Sequence, residues 1–136
     1  MENASQALII AGGILIAIIV LSVGVYLFVN YSKVSESYEK LQENKEINKF
    51  NTNFTKFKDR TDITAQEIIT LKNFVTNYNK QNETNVKVEY PYNTMKDAEF
   101  IKNYSVNNDG IIYFKCTDIE YENDGRVKRI EFQMKN

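Results

Sequence analysis

A chain of 136 residues carrying 17 Lys and Arg against 18 Asp and Glu has no general electrostatic pull towards nucleic acid or anionic lipid. One Cys closes no disulfide within the chain, and the lack of His removes the commonest general base and a frequent metal ligand. The length allows one small soluble domain with a modest core beside the apolar run near the N-terminus.

Residues 1–6 read as a short tail. Residues 7–29 follow, 23 positions without a charge. As a helix rising about 1.5 Å per residue, such a run crosses a hydrocarbon core about 30 Å thick. Its apolar residues cover the whole circumference, which a helix lying on a membrane surface would not. A cleaved signal peptide would have a basic start and a shorter apolar run, whereas residues 1–6 carry no Lys or Arg. A retained single-pass transmembrane helix in the cell membrane is therefore expected, with the lipid bilayer as its first partner.

Small residues recur in this span at Ala7 and Ala11, and at Gly13, Ala17 and Gly24. Offsets of four and seven place them near one helical face, a candidate surface for helix–helix assembly, although small residues are also common in membrane helices with no such role. Tyr26, Tyr31 and Lys33 mark the membrane interface, where aromatic rings and long cationic side chains are favoured. The positive-inside rule bears on orientation: Lys33, Lys40, Lys45 and Lys49 follow the span and no basic residue precedes it, which taken literally puts the C-terminal domain in the cytoplasm.

Residues 30–49 read as an amphipathic stalk, with Val34, Tyr38 and Leu41 spaced four and three among polar neighbours. The phase slips near Asn44. Ile47, Phe50, Phe54 and Phe57 then resume a helical spacing, but Thr52 and Thr55 favour an extended connector that docks its Phe rings on the domain formed by residues 50–136.

The best-defined element starts at Thr64. Thr64 and Glu67 form a capping box, Ile63 and Ile68 a hydrophobic staple, and Ile68, Leu71, Val75 and Tyr78 carry the helix to about Lys80. Val86, Val88 and Tyr90 alternate with Lys87 and Glu89 as in a half-buried strand that Pro91 ends. Thr94 can cap a short helix through about Tyr104, and residues 107–110 read as a turn. Asp124-Gly125 predicts a two-residue type I′ hairpin turn, which pairs Ile119 with Ile130, Thr117 with Phe132 and Glu120 with Arg129. The expected fold is α+β: a long N-terminal transmembrane helix with its stalk, then a helix packed on an antiparallel sheet of three or more strands.

Chemistry is sparse. Outside the span only Gly110 and Gly125 remain, too few for a phosphate-binding loop, and no Cys/His cluster suits zinc. Asp118, Glu120 and Glu122, with Asp97 and Glu99, are candidate carboxylates for Ca²⁺ or acid–base work. Arg126, Lys128 and Arg129 across the hairpin favour a solvated, ion-paired face instead. Cys116 beside Tyr113 and Phe114 reads as a small hydrophobe. No catalytic, cofactor-binding or metal-binding residue is assigned, and neither enzyme activity nor a nucleic-acid partner is expected.

A charge-free N-terminal helix running into an amphipathic stalk that carries a small helix-and-sheet domain resembles the lollipop architecture of type IV pilins and pilin-like secretion subunits. The likeness is architectural and spans the whole chain, without the basic leader, the Phe that follows it or the Glu within the apolar run that mark those families. It implies a structural subunit, a homo-oligomer or a secretion- or pilus-type assembly, with the domain outside the cytoplasm. Ala11-Gly-Gly in the span, residues 50–54 and Asp62-Ile-Thr also look like small, uncharacterised membrane-anchored proteins of Gram-positive bacteria, a resemblance that implies no activity. The other expectation from the residues alone is a membrane-tethered protein-interaction module, facing the cytoplasm if the lysine count is obeyed.

Overall fold

The computed structural model describes residues 2–107 and 110–135. It is α+β, as expected, and divides into two compact units, Met1–Asn44 and Lys45–Asn136. Helix α1, Glu2–Thr55, supplies the described residues of the first unit and the opening of the second. Its only buried side chains, Ile47, Phe50 and Phe54, all belong to the second unit.

The extended connector expected from Thr52 and Thr55 is helix instead. Ile47, Phe50 and Phe54 are each no more than 7 % exposed. Burying three large apolar side chains at about 1.5–3 kcal/mol each outweighs the few tenths that Thr costs a helix. Thr52 adapts by donating its hydroxyl to the Asn48 carbonyl at 2.8 Å. The helix then tightens through Phe57 N–H to Phe54 C=O, 2.9 Å, and Asp59 turns the chain away at φ 61°.

Helix α2, Ala65–Asn82, is the element the sequence marks most clearly. Thr64 Oγ1 accepts from the Glu67 N–H at 3.3 Å, and Glu67 Oε2 accepts from the Thr64 N–H at 2.9 Å, closing the capping box. Ile63 and Ile68 are both fully buried beside it. Burial alone would raise the Glu67 carboxyl, but the Thr64 N–H and the Arg60 guanidinium at 2.9 Å outweigh it and hold the group below its ordinary value of 4.5. A depressed carboxyl stabilises the fold above its unfolded pKa, and that contribution is lost as pH falls through the folded value. Glu67→Gln should therefore flatten the loss of stability below about pH 4.5, read from urea midpoints across pH, and an unchanged acid limb would show that the cap is not the titrating element.

At its C-terminus α2 ends on Glu83 in the left-handed region, φ 53°. Asn79 then ties the helix to the next strand. Its Nδ2 donates to the Val86 carbonyl at 2.9 Å, while its Oδ1 accepts from the Val86 N–H at 3.0 Å and from the Thr84 hydroxyl at 2.8 Å. Asn79→Ala leaves these partly buried groups unpaired and should cost about 2 kcal/mol in a chemical melt; a loss within about 0.5 kcal/mol would mean that water replaces the side chain without penalty.

The sheet holds β1, Lys87–Glu89; β4, Phe114–Tyr121; and β5, Val127–Met134, in the order β1-β5-β4. It is mixed, not wholly antiparallel as expected: β5 pairs antiparallel with β4 but parallel with β1, Val88 standing opposite Ile130. Between them lie α3, Asp97–Tyr104, and a two-stranded ladder of β2, Val106–Asn107, and β3, Gly110–Ile111. The turn expected over residues 107–110 includes two positions, 108 and 109, that lie outside the described residues. Helix α3 starts later than Thr94 suggested. Its cap is Lys96, without a side-chain hydrogen bond, because the chain leaving Pro91 spends Tyr92 in the left-handed region and residues 91–94 in a turn.

The hairpin keeps Ile119 opposite Ile130 and Glu120 opposite Arg129, as the spacing predicted, but by a different route. Asp124 does not take the positive φ a type I′ turn needs. Glu122 N–H donates to Arg126 C=O at 2.7 Å and Gly125 N–H to Glu122 C=O at 3.0 Å, so the loop has three residues and Gly125 takes the positive φ. The extra loop residue shifts the register by one, and a bulge at Lys128 shifts it back. That bulge puts both Val127 and Ile130, three apart, on the core side. A second irregularity at Thr117 changes the far pairing, so Phe132 faces Cys116 and not Thr117.

The core unites α1, α2, α3 and one face of this sheet. Phe54, Phe100, Phe114 and Phe132 are its largest fully buried side chains. Phe57 meets Phe132 edge-on at 5.6 Å, and Phe100 lies 5.7 Å from Phe114 and 4.8 Å from Tyr90. Asn51 of α1 reaches the hairpin, donating to the Gly125 carbonyl at 2.8 Å and accepting from the Val127 N–H at 2.9 Å.

Candidate functional site

The first unit is the candidate, because it leaves apolar surface bare. From Leu8 to Val29 its large aliphatic and aromatic side chains are between 44 % and 76 % exposed, and none is buried in the protein. A soluble monomer rarely exposes a contiguous apolar patch above a few hundred Å², let alone a whole helical circumference. The segment is long and apolar enough to cross a membrane, with mean hydropathy 2.9 over its best window, which is compatible with membrane anchoring.

Helical geometry divides the small residues expected on one face. At about 100° per residue, Gly13, Ala17 and Gly24 fall within about 40° of one another, while Ala7 and Ala11 lie about 80–160° further round the axis. They are two patches on one helix. A Cβ built on Gly13 or Gly24 meets nothing within 4 Å, so the patch around Ala17 is open to a neighbouring helix. Tyr26 and Tyr31 stand 68 % and 73 % exposed at the end of the span, and Lys33 is exposed beyond them.

The second unit gathers charge on the outer face of the sheet. Arg129 is the hub: its Nη1 meets Glu89 at 3.1 Å, its Nε meets Glu120 at 3.1 Å, and its Nη2 lies 3.6 Å from Asp118. The Glu89 hydrogen bond is the chief reason the guanidinium is held still more firmly protonated than usual. The candidate carboxylates Asp118 and Glu120 are thus spent on a three-strand ion-pair ladder. Asp97 is bound by Lys72 of α2, which that hydrogen bond raises above the ordinary lysine value. Among the described residues no group of three or more acidic, Cys or His side chains converges as a metal site would require.

No protein-family model, curated protein or solved structure matches the chain.

Two further surfaces escaped the sequence reading. A groove of about 280 Å³ lies between the end of α1 and α2, lined by Phe57, Leu71 and the 37 % exposed Phe74, with Lys56 and Glu67 at its rim. Phe74 sits beside the stripe of Ile68, Leu71, Val75 and Tyr78, so its place next to the core-facing positions was the available signal. The other is a polar hollow holding Cys116 with Lys58, Asp59 and Asp118. Burial first, then the nearby carboxylates, push the half-buried Cys116 thiol above its ordinary value, leaving it protonated and a poor nucleophile at neutral pH.

Proposed function

We propose that this protein is a single-pass membrane-anchored structural subunit of the pilin-like kind, which assembles through its N-terminal helix and displays a small extracytoplasmic domain. The observation that carries the reading is the bare apolar circumference of residues 7–29, which only lipid or neighbouring helices can cover. The open patch at Gly13, Ala17 and Gly24 gives neighbouring helices a place of close approach within the bilayer. The second unit supports display rather than catalysis, since Asp97, Asp118 and Glu120 are committed to ion pairs and its thiol is held protonated.

One observation favours a second reading. Lys33, Lys40, Lys45 and Lys49 follow the span, and the positive-inside rule then places the domain in the cytoplasm as a membrane-tethered interaction module. Asp124 at the exposed hairpin tip separates the two: Asp124→Cys in a Cys116→Ala background should react with a membrane-impermeant maleimide on intact cells. Protection until the cells are lysed would replace the first reading with the second. Assembly has its own check, because Gly13→Leu with Ala17→Leu should abolish co-purification of two differently tagged copies while leaving membrane insertion intact.

A further inference from the structure

The stalk carries exposed apolar side chains, the outer two of which lie beyond the reach of lipid. Tyr31, Val34, Tyr38 and Leu41 are 73 %, 52 %, 66 % and 56 % exposed, and they recur at intervals of three, four and three along α1. Leu41 lies about 18 Å along the helix beyond Val29, and Tyr38 about 14 Å, whereas one headgroup layer is only about 5–8 Å deep. Tyr38 and Leu41 therefore stand in water, while Tyr31 and Val34, about 3 and 8 Å past Val29, lie at the level of the headgroups.

The spacing is that of a seven-residue repeat in which Tyr31 and Tyr38 take the first apolar position and Val34 and Leu41 the second. The same repeat, stepped back by seven, falls on Gly24 and Leu27 inside the span. The positions that flank such a seam are Ser35, Ser37 and Gln42, all uncharged, while Lys33, Glu36, Glu39, Lys40 and Glu43 all sit on the far side of the helix. Over residues 31–41 two identical chains brought together along this stripe therefore meet no like-charge repulsion, and Lys45, which takes the next seam position of the repeat, ends the seam there. Anchoring in one bilayer with one topology also holds both stripes parallel and at the same height, which a soluble partner of unrelated sequence would not share.

We infer that the stalk is the seam of a parallel coiled coil whose partner is a second copy of this chain, continuing in water the helix contact begun within the membrane. The inference rests on the proposed assembly through the N-terminal helix and names where that assembly extends. The repeat of 3.5 positions per turn gives the paired stalks a left-handed supercoil. It also gives Tyr31 a function beyond that of marking the membrane interface.

Site-directed cross-linking of the full chain in phosphatidylcholine vesicles tests it. In a Cys116→Ala background, Val34→Cys and Leu41→Cys should form disulfide-linked dimers on copper-phenanthroline oxidation at least about fivefold more than Glu36→Cys and Glu43→Cys. Adding Tyr38→Lys to Leu41→Cys should remove most of that dimer. All these positions are exposed on α1 and leave the domain core untouched. Equal cross-linking on both sides of the helix, or none in the stalk, overturns the inference. Leu27→Cys then tells the two readings apart: a dimer through Leu27 without one through the stalk leaves assembly in the membrane standing and removes only the seam, whereas absence at both removes both.

Discussion

Phe54→Ala is expected to be the most damaging single truncation in the soluble unit, at about 3–5 kcal/mol. Phe54 is wholly buried and packs 5.0 Å from Phe50 and 6.4 Å from Phe74, so its removal leaves a cavity bounded by rings on two helices. A domain of this size is stable by only about 5–15 kcal/mol, so the loss takes a large share of the whole. Urea unfolding of the detergent-solubilised chain, followed by circular dichroism, should show a loss of that size in the extrapolated unfolding free energy. Phe74→Ala, which removes a ring already 37 % exposed, should cost distinctly less. Equal losses for the two would mean that the groove side of α2 is as tightly packed as its core side, against the burial seen here.

Charge placed in the span has the other large effect, and magnitudes decide how much charge is needed. Fifteen Leu, Ile, Val and Phe side chains lie in residues 7–29. At about 0.4 kcal/mol each, they favour insertion by about 6 kcal/mol. Replacing one mid-span Ile with Arg reverses about 3–4 kcal/mol, so Ile18→Arg alone should leave the chain in the membrane. Ile18→Arg with Ile19→Arg reverses about 6–8 kcal/mol and should tip the balance. Alkaline carbonate extraction provides the readout: the single variant stays in the pellet and the double variant is released. A double variant that remains in the pellet with its domain folded would show that something other than lipid solvation of this segment holds the protein at the membrane.

Legibility in the sequence followed the range of the interaction. The capping box of Thr64 and Glu67 acts over three residues, and both of its hydrogen bonds are present. The hairpin spans a dozen residues, and there the central pairs were readable while the loop length and the two bulges were not, because one extra loop residue and one bulge cancel in the register. Pairing of Val88 with Ile130 joins segments forty-two positions apart in parallel, which no local alternation encodes. Residues 50–55 failed for a related reason. The local preference of Thr52 and Thr55 for extended backbone was readable, but the burial that overrides it is supplied by α2 and β5. On the candidate surface, spacing alone grouped Ala7 and Ala11 with Gly13, Ala17 and Gly24, and only the helical angle separated them.

The order of the sheet has a consequence for biogenesis. β5, the last strand in the described chain, occupies the centre, so β1 and β4 have no partner in that sheet until residues 127–134 leave the ribosome. At a synthesis rate of about 5–20 residues per second, the interval between making β1 and making β5 is roughly 2–10 s. Throughout that time the growing chain holds its first strand open and cannot close its core. A nascent polypeptide in this condition remains loose, and is correspondingly open to proteases, until β5 arrives.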